Sequence, residues 1–302
     1  CCTVARALGM TLPEIALGVS HCQPVEHRLE LLDGGAVGQV MTMQAIENVG
    51  YWHQSHSFVR GNWRCSEQTS PMILQKSCHD MDILLWLSGQ RCTRVSSFGS
   101  LHHFDAAHAP QDAPLRCTDG CPHSVVCPYD AGKIYLTDNV GWPTDMLTTD
   151  LSREGRLKAL REGPYGRCVY HCDNDVVDRQ VVNLEFDNGA VAGFTMTAFT
   201  TDMARQLKVC GTKGQITADM NANTVSLHRF GESGPREITF ETPPQTNNYG
   251  HGGGDYYLMR DFVRAVQSGG DGNLSSARVS LQSHLICFAA ERSRVERRIV
   301  EL

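Results

Sequence analysis

The stretch "VVDRQVVNLEFDNGAVAGFTMTAFT", residues 176–200, decides the fold. It reads as two strands joined at the turn Asp187-Asn188-Gly189, and the pattern goes on in "RQLKVCG" (205–211), "GQITADM" (214–220), "TVSLHRF" (224–230) and "REITFET" (236–242). Turn residues such as "GTKG" (211–214) separate the runs, so the spacing predicts an antiparallel meander. Toward the C-terminus, two amphipathic helices are expected over about 255–268 and 276–294, with "RIVEL" (298–302) as a last strand.

Toward the N-terminus, "RCTRVSSFGSL" (91–101) and "QVMTMQAIENV" (39–49) read as further strands, and a buried helix is expected between them over 70–87. Residues 102–150 are irregular and rich in Pro, Cys, His and Asp, and are expected to form a long insertion without secondary structure of its own, its cysteines reaching to about 172. The first segment, "LPEIALGVSH" followed by a helical stretch over 23–32 and the turn "DGGAVGQV", reads as the end of an α/β unit. The expected class is therefore α+β: a large open, predominantly antiparallel β-sheet packed with helices, over 36–302, preceded by an α/β remnant over 1–35.

Composition narrows the function. Of 302 residues, 27 are Lys or Arg and 33 Asp or Glu, giving a net charge of −6 and no basic run beyond a pair, which disfavours a nucleic-acid partner. No apolar run reaches the ~18 residues of a membrane span, so a cytoplasmic protein with no membrane partner is expected. The 13 cysteines are scattered over a long chain, which favours reduced thiols or a metal site over a disulfide framework. The chain begins at Cys1, and a longer parent protein is expected.

The chemistry-bearing residues concentrate in "QKSCHDMDILLWL" (75–87). A helix apolar around most of its circumference that carries Lys76, His79, Asp80 and Asp82 must pair these groups or turn them to a cleft, because burying a charge alone is costly. A satisfied Lys76–Asp80 pair at i, i+4 is the structural alternative. The preceding loop "YWHQSHSFVRGNWR" (51–64) supplies His53, His56, Arg60 and Trp63, residue types that line pockets for polar small molecules. "GHGGGD" (250–255) adds His251, and Asp255 at an expected helix cap; Asn174 is a further polar candidate. Cys117, Cys121, Cys127 and Cys168, with His123 inside the cluster, are candidate ligands of a structural zinc ion. The glycines of "GHGGGD" do not have the spacing of a dinucleotide fingerprint.

Taken together, "GGAVGQVMTMQAIENVGYWHQSHSFVRGNWR" (34–64), "SPMILQKSCHDMDILLWLSG" (70–89), "CPYDAGKIYL" (127–136) and the 163–196 segment resemble the C-terminal substrate domain of the Gfo/Idh/MocA oxidoreductases. The resemblance runs from about Ile15 to the C-terminus. It implies an upstream Rossmann domain binding NAD or NADP, of which "IALGVSH" (15–21) would be the last strand, and reversible hydride transfer at a hydroxyl carbon of a sugar, inositol or related polyol. It also implies a homo-oligomer assembled through the open sheet.

The family's Asp–x3–His pattern places its His on His79, but its Asp falls on Gln75, a departure that makes Lys76 the substitute acid/base candidate. His79 and Lys76 are thus the expected catalytic pair, with His53, His56, Arg60, Trp63, Asp80, Asn174, His251 and Asp255 expected to bind substrate. By itself the chain would be inactive. A non-catalytic scaffold or ligand-binding protein, and the NAD-dependent glycosidase variant of the family, are the alternatives.

Overall fold

A computed structural model describes residues 35–219, 222, 224–238, 259, 262–264, 266–269 and 277–302. The expected N-terminal α/β remnant up to residue 34, His251, Asp255 and half of the 255–268 helix lie outside the described residues.

Among the described residues nine strands form one sheet: β1 (Val40–Asn48), β2 (Cys92–Ser100), β3 (Arg179–Phe186), β4 (Val191–Thr197), β5 (Ala204–Gly211), β6 (Gly214–Asp219), β7 (Thr224–Arg229), β8 (Arg236–Ile238) and β9 (Val300–Glu301). Their order is β8-β7-β6-β5-β1-β4-β3-β2-β9. Each strand read from alternation is present, but the uninterrupted meander is corrected. β1 inserts between β4 and β5, pairing parallel with β4 and antiparallel with β5, and so splits the meander into β2-β3-β4 and β5 to β8. Alternation fixes which face of a strand is buried but says nothing about which neighbour it pairs with.

Helices among the described residues include α1, which starts as an α-turn at Tyr51–His53 and widens into a π-helix at Gln54–Arg60; α2 (Met72–Gln75); α3 (Cys78–Ser88); α4 (Ala131–Tyr135); α5 (Arg153–Glu162); and α6 (Ala277–Glu296). The single helix expected over 70–87 is two, broken at Lys76–Ser77, where Ser77 leaves helical geometry (φ −111, ψ 9). Gly89 in the left-handed conformation ends α3.

Helices α3 and α6 cover one face of the sheet, and the main core lies between, built from Met43, Ala45, Leu84, Leu184, Phe194, Val209 and Ile286 among others. The 102–172 insertion is not devoid of secondary structure. α5 forms because Ser152 caps it, its side chain accepting from Gly155 N. The insertion packs through two small clusters of its own, Val59-Phe104-Tyr129-Cys168-Val169-Tyr170-Ala198 and Ala131-Tyr135-Leu160. No helix among the described residues is long and apolar enough to cross a membrane.

Candidate active site

Four charged side chains meet at the C-terminal end of the parallel β1–β4 pair. Glu47 on β1 and Arg205 on β5 stand directly opposite each other across the strand pair, on the face that carries Met43, Ala45, Leu207 and Val209 into the core. Lys76 enters from the break between α2 and α3 and places Nζ 2.8 Å from Glu47 Oε1. Arg205 Nε lies 2.8 Å from both Glu47 Oε2 and Asp80 Oδ1. The two carboxylates are buried, while the Lys76 side chain keeps 19% exposure.

Two anions and two cations cancel, which is the arrangement in which desolvating four charges is tolerable. Burial pushes the Asp80 carboxyl up to about 6; Arg205 opposes the shift and Glu47 adds to it. The i, i+4 pair between Lys76 and Asp80 is not formed, because each side chain finds a partner on the sheet instead. An ammonium has three donors, and Glu47 is the partner of Lys76 among the described residues, so Lys76 can still donate to a ligand oxygen.

Gly50 (φ 82) turns the chain from β1 into α1; a Cβ there would meet Met203 Cγ at 3.2 Å. The turn is fixed by Gly50 N donating to Thr200 Oγ1 and Tyr51 N to the Thr200 carbonyl. α1 then presents His53 to the Lys76 side. Burial, then the Lys76 charge and His56, push the His53 imidazole down to about 3, with the Val49 carbonyl acting weakly the other way. His56 is buried, its Nδ1 2.9 Å from Tyr135 Oη and its ring stacked on Tyr165 at 4.8 Å. Burial and Arg60 push it down to about 4. Both rings are neutral at pH 7.

Several buried polar atoms around Lys76 lack a hydrogen-bond partner among the described residues: both side-chain ends of Gln54, Ser77 Oγ and Asp80 Oδ2. Buried polar groups are ordinarily paired, and a site where they are not is one that water or a ligand oxygen completes.

The structure separates the residues expected to bind substrate. Lys76, Asp80, His53 and His56 come together. His79 is half-buried in the first turn of α3, with Nδ1 3.8 Å from Cys78 Sγ. Trp63 lies at the surface, 49% exposed. Arg60, expected to bind substrate, is fully buried, with Nε donating to the Arg167 carbonyl and Nη2 to the Tyr129 carbonyl, both at 2.7 Å. Asn174 is likewise buried and donates to the Phe104 carbonyl. Gln75 turns back to Thr69 and Ser70, away from the cluster.

The zinc expectation is also corrected. Among the described residues no group of His, Cys, Asp or Glu is arranged to hold a metal ion. Cys117 Sγ instead accepts from Arg60 Nη2 at 3.6 Å, Cys168 is buried with its thiol pushed up to about 11 by that burial, and His123 Nε2 engages the Gln111 carbonyl. All four cysteines are free thiols.

Sequence reasoning missed Glu47, Arg205, Tyr135, Tyr165 and Trp142. The first two carried a signal: each is a charged residue at the inward parity of a strand whose other inward residues are apolar.

Residues 29–302 match the family described as "Oxidoreductase family, C-terminal alpha/beta domain", and the chain belongs to the Gfo/Idh/MocA oxidoreductases. It is 24% identical over 257 residues to YteT, a Bacillus subtilis (strain 168) protein named as an oxidoreductase, covering 77% of this chain and 55% of YteT. Among solved structures it resembles an oxidoreductase domain protein from Kribbella flavida (TM-score 0.60, 16% identity, 99% of this chain and 65% of that one). It also resembles levoglucosan dehydrogenase in complex with NADH and levoglucosan (TM-score 0.59, 15% identity, 99% and 64%). The chain thus spans about half to two thirds of the length of these relatives.

Proposed function

We propose that this chain is the substrate-binding part of a nicotinamide-dependent oxidoreductase acting on CH–OH groups of a sugar, inositol or related polyol. The observation that carries the reading is Lys76, held by Glu47 at the edge of a neutral ionic cluster, partly exposed and beside the uncharged His53. Lys76 donates to the reacting hydroxyl and stabilises the alkoxide that forms as its proton leaves. His79 is the general acid/base for that proton, and His53 and His56, both neutral, orient neighbouring hydroxyls. Likeness to a dehydrogenase solved with NADH and a sugar supports the choice of substrate class and of NAD or NADP.

The cofactor would supply the hydride acceptor. The described residues do not fit a nucleotide: they offer no glycine-rich turn from a strand into a helix that could cradle a pyrophosphate, so no step is assigned here to groups that hold it. Homo-oligomerisation through the uncovered sheet face completes the proposal.

The test is turnover followed at the nicotinamide band, in protein that includes a nucleotide-binding domain, over a panel of sugars and polyols. Lys76→Arg keeps a cation beside Glu47 but displaces the donor, and is expected to lower kcat by ~10² or more while the melting temperature holds; His79→Ala is expected to do the same. Wild-type rates in both variants would overturn the assignment.

A further inference from the structure

The insertion places one large apolar side chain at the site. Trp142 makes T-shaped contacts with three rings of α1: Trp52 at 5.2 Å, His53 at 5.0 Å and His56 at 5.8 Å between centroids. Despite these contacts it keeps 43% of its surface exposed. Its position is fixed from both sides. Asn139 Nδ2 donates to the Trp142 carbonyl, Gly141 N to Asn139 Oδ1, and Thr144 N to the Gly141 carbonyl, with Thr144 itself fully buried. Upstream, the buried Arg156 clamps the carbonyls of Tyr135 and Thr137, both at 2.8 Å.

An indole held in this way touches three rings yet keeps part of its surface open, next to a histidine that feels the Lys76 charge. Holding an exposed tryptophan this firmly gives a pre-ordered apolar platform beside a cluster of hydrogen-bonding groups. The ligand that matches both is amphiphilic in the same sense: a closed sugar ring, with one face of C–H groups and a rim of hydroxyls. An acyclic polyol has the same hydroxyls but no continuous C–H face.

We infer that Trp142 is a specificity-determining residue that stacks on the C–H face of a pyranose ring and selects cyclic sugars over acyclic polyols at the Lys76 site. The inference rests on the proposed function and deepens it.

Calorimetric binding to the full chain tests it, using methyl glucoside, galactoside and mannoside pyranosides against glucitol, galactitol and mannitol. The unsubstituted chain is expected to prefer the cyclic member of a pair. Trp142→Ala should weaken pyranoside binding about fivefold or more, leave the alditol within about twofold, and so erase the preference, while Trp142→Phe retains most of it. Equal losses for both ligand types, or no loss, would overturn the role of Trp142 and leave the proposed function standing. If the unsubstituted chain bound neither ligand type, the sugar reading itself would fall, and the Trp142 inference with it. Circular dichroism of each variant separates lost stacking from lost folding, and because Trp142→Phe keeps an aromatic ring in place, selectivity stays readable even if the alanine variant does not fold.

Discussion

His56 shows how a single buried ring sets the response of this molecule to acid. Burial and the Arg60 charge bring its pKa to about 4 from an ordinary 6.5. The folded state therefore binds fewer protons than the unfolded one between these values, and the stability His56 contributes is present above pH 6.5 and lost as pH falls toward 4. Asp80 runs the opposite way: its folded pKa near 6 exceeds that of a free carboxyl, so its contribution is present at low pH and fades as pH rises from about 4 to 6. His53, shifted in the same direction as His56, tips the sum toward acid lability.

Melting temperature measured from pH 7 to 4.5 should thus fall for the wild type and fall less steeply for His56→Gln. An unchanged slope would show that the ring does not titrate on unfolding. Asp80→Asn should have the reverse effect, steepening the acid loss by removing a group that opposes it. At this scale the sequence made Lys76, His53, His56 and Asp80 legible, because buried charge stands out against an apolar helix or an aromatic loop. Arg205 and Glu47 carried only the weak signal of a charge at inward parity, and their role as partners becomes visible when β1 and β5 pair.

α1 is the element that ties the insertion to the sheet domain. Its last turn buries Val59 in one insertion cluster and sends the Arg60 guanidinium to carbonyls at Tyr129 and Arg167, some 70 and 107 positions away in sequence. Gly61 must follow, since a Cβ there would lie 2.6 Å from the His56 carbonyl. Arg60→Met removes the donors but leaves both carbonyls buried, at a cost of about 1–3 kcal/mol for each unpaired group. Lysine cannot replace the forked guanidinium.

The expected outcome for Arg60→Met is a lower melting temperature with early proteolytic cleavage confined to 102–172, while amides of the central strands keep their protection from hydrogen exchange. Cleavage no faster than in the wild type would remove Arg60 from this role. Strands were readable at this scale from two-residue periodicity, and α6 from its length. The π-helical widening of α1, the break at Lys76–Ser77 and the helices of the insertion were not, because each is decided by partners distant in the chain rather than by local pattern.

For the molecule as a whole, inserting β1 between β4 and β5 turns two small antiparallel units into one sheet, nine-stranded among the described residues, with α3 and α6 on one face. On the other face, one cross-strand line runs Phe98, Val181, Thr195, Ile46, Gln206 through β2, β3, β4, β1 and β5 in register. Phe98 is 71% exposed, Val181 lies open beside it, and Ile46, two strands beyond Val181, is open as well. Exposed apolar side chains on an open sheet surface favour self-association, because covering them removes that area from water at about 25 cal/mol per Å². A second copy of the sheet offers a surface of the same chemistry, and a two-fold axis would bring the same row against itself. Sedimentation at micromolar concentration is expected to give a dimer or larger assembly. Phe98→Asp combined with Ile46→Asp should shift it to monomer without lowering the melting temperature of the monomer, since both side chains already face solvent there. A monomeric wild type, or an assembly indifferent to both substitutions, would rule out this face as the interface.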